Sequence, residues 1–179
     1  MARPRRKVVR FSRDYRKARK FDMGLPPYRP GSGKRKRRSR QFFLVIAIVL
    51  LAFGPSLGDI ANGYLTPHDG CRVVRVIDGD TVTLICPLSG IQRGRILAYD
   101  TPEMNAQCTS EALKAFAAKQ YLRWLLWSSG HISARTEGID RYGRALVLLL
   151  IDGKGVARPM IKAGLGKEYS GGRRDSWCT

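Results

Sequence analysis

The stretch Cys71-Arg-Val-Val-Arg-Val-Ile-Asp-Gly-Asp-Thr-Val-Thr-Leu-Ile-Cys86 decides the fold, because two β-rich runs flank the pair Asp78-Gly79. An Asp-Gly pair between such runs is a strong signal for a β-hairpin. Counting outward from a two-residue turn at Asp78 and Gly79 places Cys71 opposite Cys86. Opposed Cα atoms of an antiparallel pair lie about 4.5–5.5 Å apart, which is within the range that a disulfide spans.

The chain has four cysteines, Cys71, Cys86, Cys108 and Cys178, and these allow three disulfide pairings. The hairpin register favours Cys71–Cys86, which leaves Cys108–Cys178 to fasten the C-terminus to the domain. A bulge in the turn would shift the register and remove the reason for the first pair. The spacings contain no Cys-x-x-Cys and no nearby pair of histidines, so no zinc site is expected.

The elements after the hairpin follow from hydrophobic periodicity and from turn residues. The predicted strands cover 71–77, 80–86, 91–99, 131–136 and 144–151, and the predicted helices run from Glu111 to a stop at Gly130 and over 158–163. The order β-β-β-α-β-β-α predicts a β-rich α+β domain, a five-stranded barrel of the OB type with two helices.

Within the first of these helices, apolar residues recur at helical spacing and predict the face that packs on the core. They are Leu113, Phe116, Ala117, Tyr121 and Trp124. Trp124 and the neighbouring Trp127 are expected in the core rather than as platforms for base stacking.

Charge is concentrated at the N-terminus of the 179-residue chain, whose net charge is +19. Residues 1–40 hold 17 Lys and Arg against two acids, a net charge of +15, which leaves +4 for the remainder. Residues 1–40 are therefore predicted to be a disordered basic tail on the cytoplasmic side, attracted to anionic lipids. Binding of nucleic acid by this tail remains an alternative.

Residues 41–58 contain no charge and include an unbroken apolar run, 42–53. Eighteen helical residues reach about 27 Å, slightly less than a hydrocarbon core of about 30 Å. We favour a transmembrane signal anchor over the apolar region of a cleaved signal peptide, for which Ser56-Leu57-Gly58 would be the exit. Residues 59–70 read as a linker, and 71–179 are expected on the periplasmic or extracellular side, secreted if the segment is cleaved.

Four acidic residues stand at two turns: Asp78 and Asp80 in the hairpin, and Asp100 and Glu103 after the third strand. Each alone is ordinary turn chemistry. If the second and third strands are neighbours, however, the carboxylates would repel one another unless a hard cation joins them. Ca²⁺ prefers such oxygen ligands, so a calcium site is predicted here.

Arg95 and Arg144 complement these carboxylates, because a guanidinium fork fits the charge on a phosphodiester in its transition state. Arg95 and Asp100 are five residues apart, and in a regular strand their side chains would point to opposite faces. The third strand must therefore bend, bulge or end before Asp100 if both side chains face one site.

Three segments together resemble the signature segments of the staphylococcal nuclease (thermonuclease) family, in the same order. They are Val76-Ile-Asp-Gly-Asp-Thr-Val82, Arg95-x4-Asp100-Thr-Pro-Glu103 and Asp140-Arg-Tyr-Gly-Arg144. The resemblance covers about residues 72–169. It departs from the family over 104–110, where the loop after Glu103 is shorter and lacks lysines.

For the metal, the resemblance implies that the side chains of Asp80 and Asp100 and the backbone carbonyl of Thr101 bind Ca²⁺. Asp78 would support the ion from the next layer of residues.

For the phosphate, the resemblance implies that Arg95 and Arg144 hold the scissile group and that Glu103 is the general base. Tyr142 matches a residue near the nucleotide, whereas Tyr169 is one position out of alignment and is not assigned. Residues 170–174 read as a solvated tail, with contact to substrate phosphates as the alternative.

These features predict a calcium-dependent nuclease that hydrolyses DNA or RNA with low sequence specificity. An open site on an OB barrel favours single strands. No nucleotide cofactor is expected. The alternative is a membrane-anchored OB-fold module that binds nucleic acid without cleaving it.

Overall fold

The computed structural model describes residues 34–172 and 174–178, and in this part of the chain it has three helices and nine strands. The helices are α1 Lys34–Leu65, α2 Thr109–Trp127 and α3 Ala157–Lys162. The strands are β1 His68–Gly70, β2 Arg72–Val76, β3 Thr81–Cys86, β4 Gly90–Ile96, β5 Ala98–Asp100, β6 Ile132–Ile139, β7 Ala145–Ile151, β8 Lys154–Gly155 and β9 Lys167–Tyr169.

Seven of these strands form one mixed sheet, in the order β1-β6-β7-β4-β3-β2, with β8 paired to β7. The β1–β6 and β4–β7 pairs are parallel, and β5 pairs with β9 in a separate two-stranded sheet. The five longest strands are those expected from the sequence, and the result is a barrel-like α+β fold. Of the four short strands, β1, β8 and β9 were not predicted, because two or three residues carry no detectable periodicity, and β5 overlaps the end of the predicted strand 91–99.

The hairpin differs from the predicted two-residue turn, yet it gives the predicted disulfide. Pairing stops at Val76 and Val82, so the loop is longer, and the register shifts between Val73 and Arg75. This bulge adds one residue to β2 and offsets the longer loop. Cys71 and Cys86 are consequently joined, with Cα atoms 4.2 Å apart.

The second disulfide also has the expected partners, since Cys108 is joined to Cys178 with Cα atoms 5.9 Å apart. Cys108 directly precedes α2, so the bridge ties the segment 174–178 to the start of that helix. The residue before α2 is Cys108, and its side chain makes no capping hydrogen bond to the helix.

Residues 59–70, expected from the sequence to be a linker, contain regular secondary structure. α1 continues without interruption to Leu65, and β1 joins the sheet at 68–70. Asp59 explains why the chain is ordered here: it is buried, and its two oxygens accept hydrogen bonds from Arg123 Nε and Nη2 at 2.8 and 3.0 Å. Residues 34–40 of the predicted tail belong to the helix α1, whereas 1–33 lie outside the described residues.

Part of α1, Ser39–Leu65, is long and apolar enough to cross a membrane. This agrees with an anchor or a signal sequence at the predicted position. The uncharged stretch ends at Gly58, but the helix continues to Leu65. In this last part, Asn62 donates a hydrogen bond to the Leu126 carbonyl of α2 at 3.2 Å.

The face of α2 that packs on the core is not the predicted one. The buried residues of α2 are Glu111, Ala115, Ala118, Leu122, Arg123 and Leu126. Leu113, Phe116, Trp124 and Trp127 are exposed instead. Small residues such as Ala115 and Ala118 let the helix lie close to the sheet, a possibility that a search for large apolar side chains misses.

The Asp59–Arg123 contact is expected to be a main support of the fold, because removing one partner leaves the other charge buried and unpaired. Asp59→Ala should lower the free energy of unfolding by about 3–5 kcal/mol. The exposed acid Glu137 provides the control, and Glu137→Ala should change that free energy by less than about 0.5 kcal/mol. Denaturant unfolding of the full chain in detergent measures both; equal effects would contradict the assignment.

Candidate active site

Arg95 joins two of the predicted acidic residues directly. Its Nη1 lies 2.9 Å from Asp80 Oδ2, and its Nη2 lies 2.8 Å from Asp100 Oδ1. All three residues are buried, with 4–6% of their surface exposed. Asp80, Arg95 and Asp100 therefore form one buried cluster.

A break in the third strand brings Asp100 to the side of Arg95. The predicted strand over 91–99 is instead β4 and β5, separated at Leu97, whose amide donates to the Val147 carbonyl at 2.9 Å. Ala98 follows with φ of 75°, a left-handed conformation that costs roughly 1–2 kcal/mol for a residue other than glycine. The chain thus changes direction before Asp100, as the five-residue spacing required.

The hairpin loop fixes Asp80 from the other side. Asp78 Oδ1 accepts a hydrogen bond from the Asp80 amide at 3.1 Å, and Thr81 Oγ1 donates to Asp80 Oδ1 at 2.9 Å. Between the two acids, the carbonyl of Gly79 accepts a hydrogen bond of 2.7 Å from the buried Tyr99 hydroxyl. The Asp78 side chain therefore stabilises the conformation of the loop beside Asp80.

Burial controls the electrostatics of this cluster. Burial raises the pKa of the Asp80 carboxyl to about 7, while the Arg95 charge acts in the opposite direction. Burial also lowers the pKa of Arg95, but the neighbouring Asp80 and Asp100 outweigh it, so that this pKa is raised. Asp80 Oδ2 makes no hydrogen bond among the described residues, although it is buried beside the Arg95 charge.

Thr101 and Glu103 follow Asp100 at the edge of the same cluster. Thr101 is buried, whereas the Glu103 side chain is 52% exposed and reaches solvent. Glu111 shapes the loop that follows, because its carboxylate accepts hydrogen bonds from the Glu103 and Gln107 amides at 3.5 and 2.8 Å. Glu111 also lies in the first turn of α2, where an acid is favourable.

Arg144 lies in a loop that Asp140 organises. The Oδ1 atom of Asp140 accepts hydrogen bonds from the amides of Tyr142 and Arg144, both at 2.9 Å, and its Oδ2 accepts one from Arg144 Nε at 2.7 Å. Burial acts to raise the pKa of Asp140, but these hydrogen bonds prevail and lower it. Gly143 has φ of 78°, which allows the tight turn.

A groove of about 1310 Å³ connects this loop with the buried cluster. Four residues with predicted roles line it, namely Arg95, Glu103, Tyr142 and Arg144, together with the basic residues Arg93 and Arg141. Asp80 lies beneath, bonded to Arg95. Residues of the second and third signature segments thus line one groove, and the first segment joins them through the contact of Asp80 with Arg95.

Two residues without a predicted role enter the same groove. Tyr169 arrives because β9 pairs with β5, and the Arg95 guanidinium carbon lies 5.2 Å from the centre of its ring. Arg174 reaches Asp100 Oδ1 with its Nε at 3.0 Å and contacts Glu103 with its Nη1. The Cys108–Cys178 bridge ties the end of this segment to the start of α2. The position of Arg174 thus differs from the solvated tail favoured for 170–174 in the sequence.

Gly79 is expected to tolerate no side chain, because a Cβ there would lie 2.7 Å from Ala118 Cβ and 2.9 Å from Thr101 side-chain atoms. Gly79→Ala should lower the free energy of unfolding by about 1–3 kcal/mol. Gly155→Ala is the matched control, since no described atom lies within 4 Å of its added Cβ. Thermal unfolding compares the two variants, and equal stability would show that the loop can shift.

The chain matches no protein-family model. It is similar to an "Uncharacterized endonuclease" of Haemophilus influenzae, with 26% identity over 103 residues. The alignment covers 56% of this chain and 54% of that protein, so the chain spans about half the length of the curated relative it matches.

Proposed function

We propose that this chain is a calcium-dependent nuclease that hydrolyses phosphodiester bonds of DNA or RNA with low sequence specificity. The observation that carries the proposal is the Asp80–Arg95–Asp100 cluster beneath a groove lined by further arginines. The endonuclease name of the Haemophilus influenzae relative supports the nuclease class. Calcium and the thermonuclease-like subtype rest on the donor atoms and on the resemblance of the three segments.

The residues present fit a hard cation. Asp80 and Asp100 are buried carboxylates, and Thr101 adds a backbone carbonyl, so the donor set consists of oxygen alone. Asp80 Oδ2 contacts the Arg95 guanidinium at 2.9 Å and accepts no further hydrogen bond among the described residues, so this buried oxygen keeps a lone pair for a cation. When bound, Ca²⁺ would supply charge neutralisation for these carboxylates and polarisation of a phosphate oxygen.

The arginines are the groups that would hold the phosphate. Arg144 presents a guanidinium at the groove whose direction is fixed by its contact of 2.7 Å with Asp140. Arg95 is held from below by its two carboxylates. Guanidinium groups fixed in this way stabilise the charge that gathers on a phosphodiester in its transition state.

Glu103 is the proposed general base, because it is the carboxylate of the cluster that faces solvent. It would accept a proton from the attacking water at the edge of the groove. Its contact with Arg174 keeps the side chain near Asp100 rather than free in solvent.

Tyr142 and Tyr169 suggest the form of the substrate. Both line the groove, and the Tyr142 side chain is exposed at the loop that carries Arg144. Exposed aromatic rings beside a basic groove stack on unpaired bases, so single strands are the favoured substrate.

The apolar part of α1 is proposed to anchor the chain in a membrane, with the nuclease domain on the periplasmic or extracellular side. Two disulfides support that side, since such bonds persist in oxidising compartments. The continuous helix through Ser56-Leu57-Gly58 supports retention of the segment, because Asp59 and Asn62 just beyond it are bonded to α2.

The proposed metal role is tested by cleavage of heat-denatured DNA by the full chain in detergent, with Ca²⁺ or with chelator. Asp80→Ala should lower the Ca²⁺-dependent rate by at least about 100-fold. Removing a residue that only supports a metal ligand lowers activity by about 10–100-fold, and removing the ligand itself should have a larger effect. Asp69→Ala removes an exposed acid outside the groove and should leave the rate unchanged.

Two results would go against the proposal. Cleavage that survives chelation or Asp80→Ala would contradict the metal assignment. Binding of denatured DNA with no cleavage under any divalent ion would favour the non-catalytic binding module instead.

Arg174 is expected to contribute to substrate binding once Asp100 and Glu103 engage the metal and the water. Arg174→Ala should raise KM for a single-stranded oligonucleotide by about tenfold, equivalent to ~1.4 kcal/mol, with a smaller change in kcat. Arg174→Lys should recover part of the loss, and Arg135→Ala on β6 is the charge-matched control. A faster reaction in Arg174→Ala would show that the residue blocks the groove.

A further inference from the structure

The outer face of α2 is an unusually apolar surface for a helix that is otherwise packed on a sheet. Its exposed residues include Leu113, Phe116, Trp124 and Trp127, with 68%, 57%, 58% and 45% of their surface exposed. We call these four residues the apolar stripe. It runs along about 21 Å of helix, and the exposed positions of α2 carry no charge.

The stripe is not the side by which α2 holds the domain together. The opposite side, with Ala115, Ala118, Leu122 and Leu126, is buried on the sheet. The stripe is therefore a second apolar face of α2, whose first apolar face is already buried on the sheet. A contiguous exposed apolar surface of this kind is typical of an interaction site.

The C-terminal end of the stripe is attached to α1. The Trp127 ring lies against Gly58, where a Cβ would come within 2.6 Å of Trp127 Cζ2, and Trp127 Nε1 donates to Asp59 Oδ1 at 3.1 Å. Arg123 bonds the same carboxylate at 2.8 Å. These contacts fix the last turns of α2 beside Gly58 and Asp59 of α1.

Gly58 is also the last residue of the uncharged stretch that begins at Gln41. On its N-terminal side, α1 presents exposed apolar side chains to its surroundings, among them Leu50, Leu51 and Phe53. If these side chains face lipid, Gly58 lies near the boundary between hydrocarbon and water. Tryptophan is enriched at that depth, and Trp127 is placed there by its contact with Gly58.

We propose that the apolar stripe lies in the interfacial layer of the same membrane, with Leu113, Phe116 and the two tryptophans among the headgroups and upper acyl chains. The inference rests on the proposed membrane anchoring of α1 and extends it from a tether to a second contact. Continuity with the lipid-facing side of α1 at Gly58 favours lipid over a second copy of the chain.

The proposed position of the apolar stripe in the membrane interface affects the candidate active site. Ala118, on the buried side of α2, is the residue closest to Gly79 in the loop that carries Asp78 and Asp80. The membrane contact and the acidic cluster thus lie on opposite sides of one helix. A helix held flat on lipid would fix the position of that loop and leave substrate to approach from the aqueous side.

Quenching of tryptophan fluorescence by brominated phosphatidylcholine tests the proposal with the full chain in liposomes. Trp177→Phe keeps the two tryptophans of the stripe, whereas Trp124→Phe/Trp127→Phe keeps only the buried Trp177 as an internal control. Adding Phe116→Trp to that double variant reports on the stripe two turns away from Trp124. We expect several-fold stronger quenching in Trp177→Phe and in the Phe116→Trp variant than in the control.

Alkaline carbonate extraction of the same liposomes separates the possible failures. Weak quenching of Phe116→Trp in protein that resists extraction would overturn the stripe proposal and leave the anchor in place. Weak quenching together with cross-linked dimers would assign the stripe to a second copy. Protein that is extracted would overturn both the stripe and the anchor, while the nuclease assay in detergent still decides the activity by itself.

Discussion

The ion pairs of Arg95 with Asp80 and Asp100 are the constraint around which the domain is arranged. Each buried charge carries a desolvation penalty of several kcal/mol, which is offset only if its partner is placed well. The left-handed residue Ala98 is the local distortion that makes this placement possible, because it turns the chain between the arginine and the second aspartate. A straight strand would have kept these two side chains on opposite faces.

In each loop around the groove, one carboxylate accepts hydrogen bonds from backbone amides. Asp78 serves the hairpin, Glu111 the loop after Glu103, and Asp140 the loop of Arg144. Each fixes the backbone of a loop that carries or adjoins a candidate site residue. The Cys108–Cys178 bridge adds a fourth fastening and brings Arg174 to the same carboxylates.

The C-terminal part of α1 is bonded directly to the helices and strands of the domain. Asp59 accepts hydrogen bonds from Arg123, from Trp127 and from the Val76 amide, so one carboxylate joins α1 to α2 and to β2. Since α2 also packs against the loop around Gly79, one helix contacts both α1 and the loop that carries Asp80.

The sequence by itself determined the long strands, the approximate helices of the domain and the Cys71–Cys86 pair, because local periodicity and turn chemistry encode them. Cys108–Cys178 followed as the remaining pair, and the site residues were expected from the pattern of acids and arginines and from the resemblance of three segments to a known family. Only the tertiary structure decided the rest. The buried face of α2 depends on how closely alanines approach the sheet, and the order beyond Gly58 depends on the distant Arg123. The entry of Tyr169 and Arg174 into the groove depends on strand pairing and on a disulfide across 70 residues, contacts that no local pattern contains.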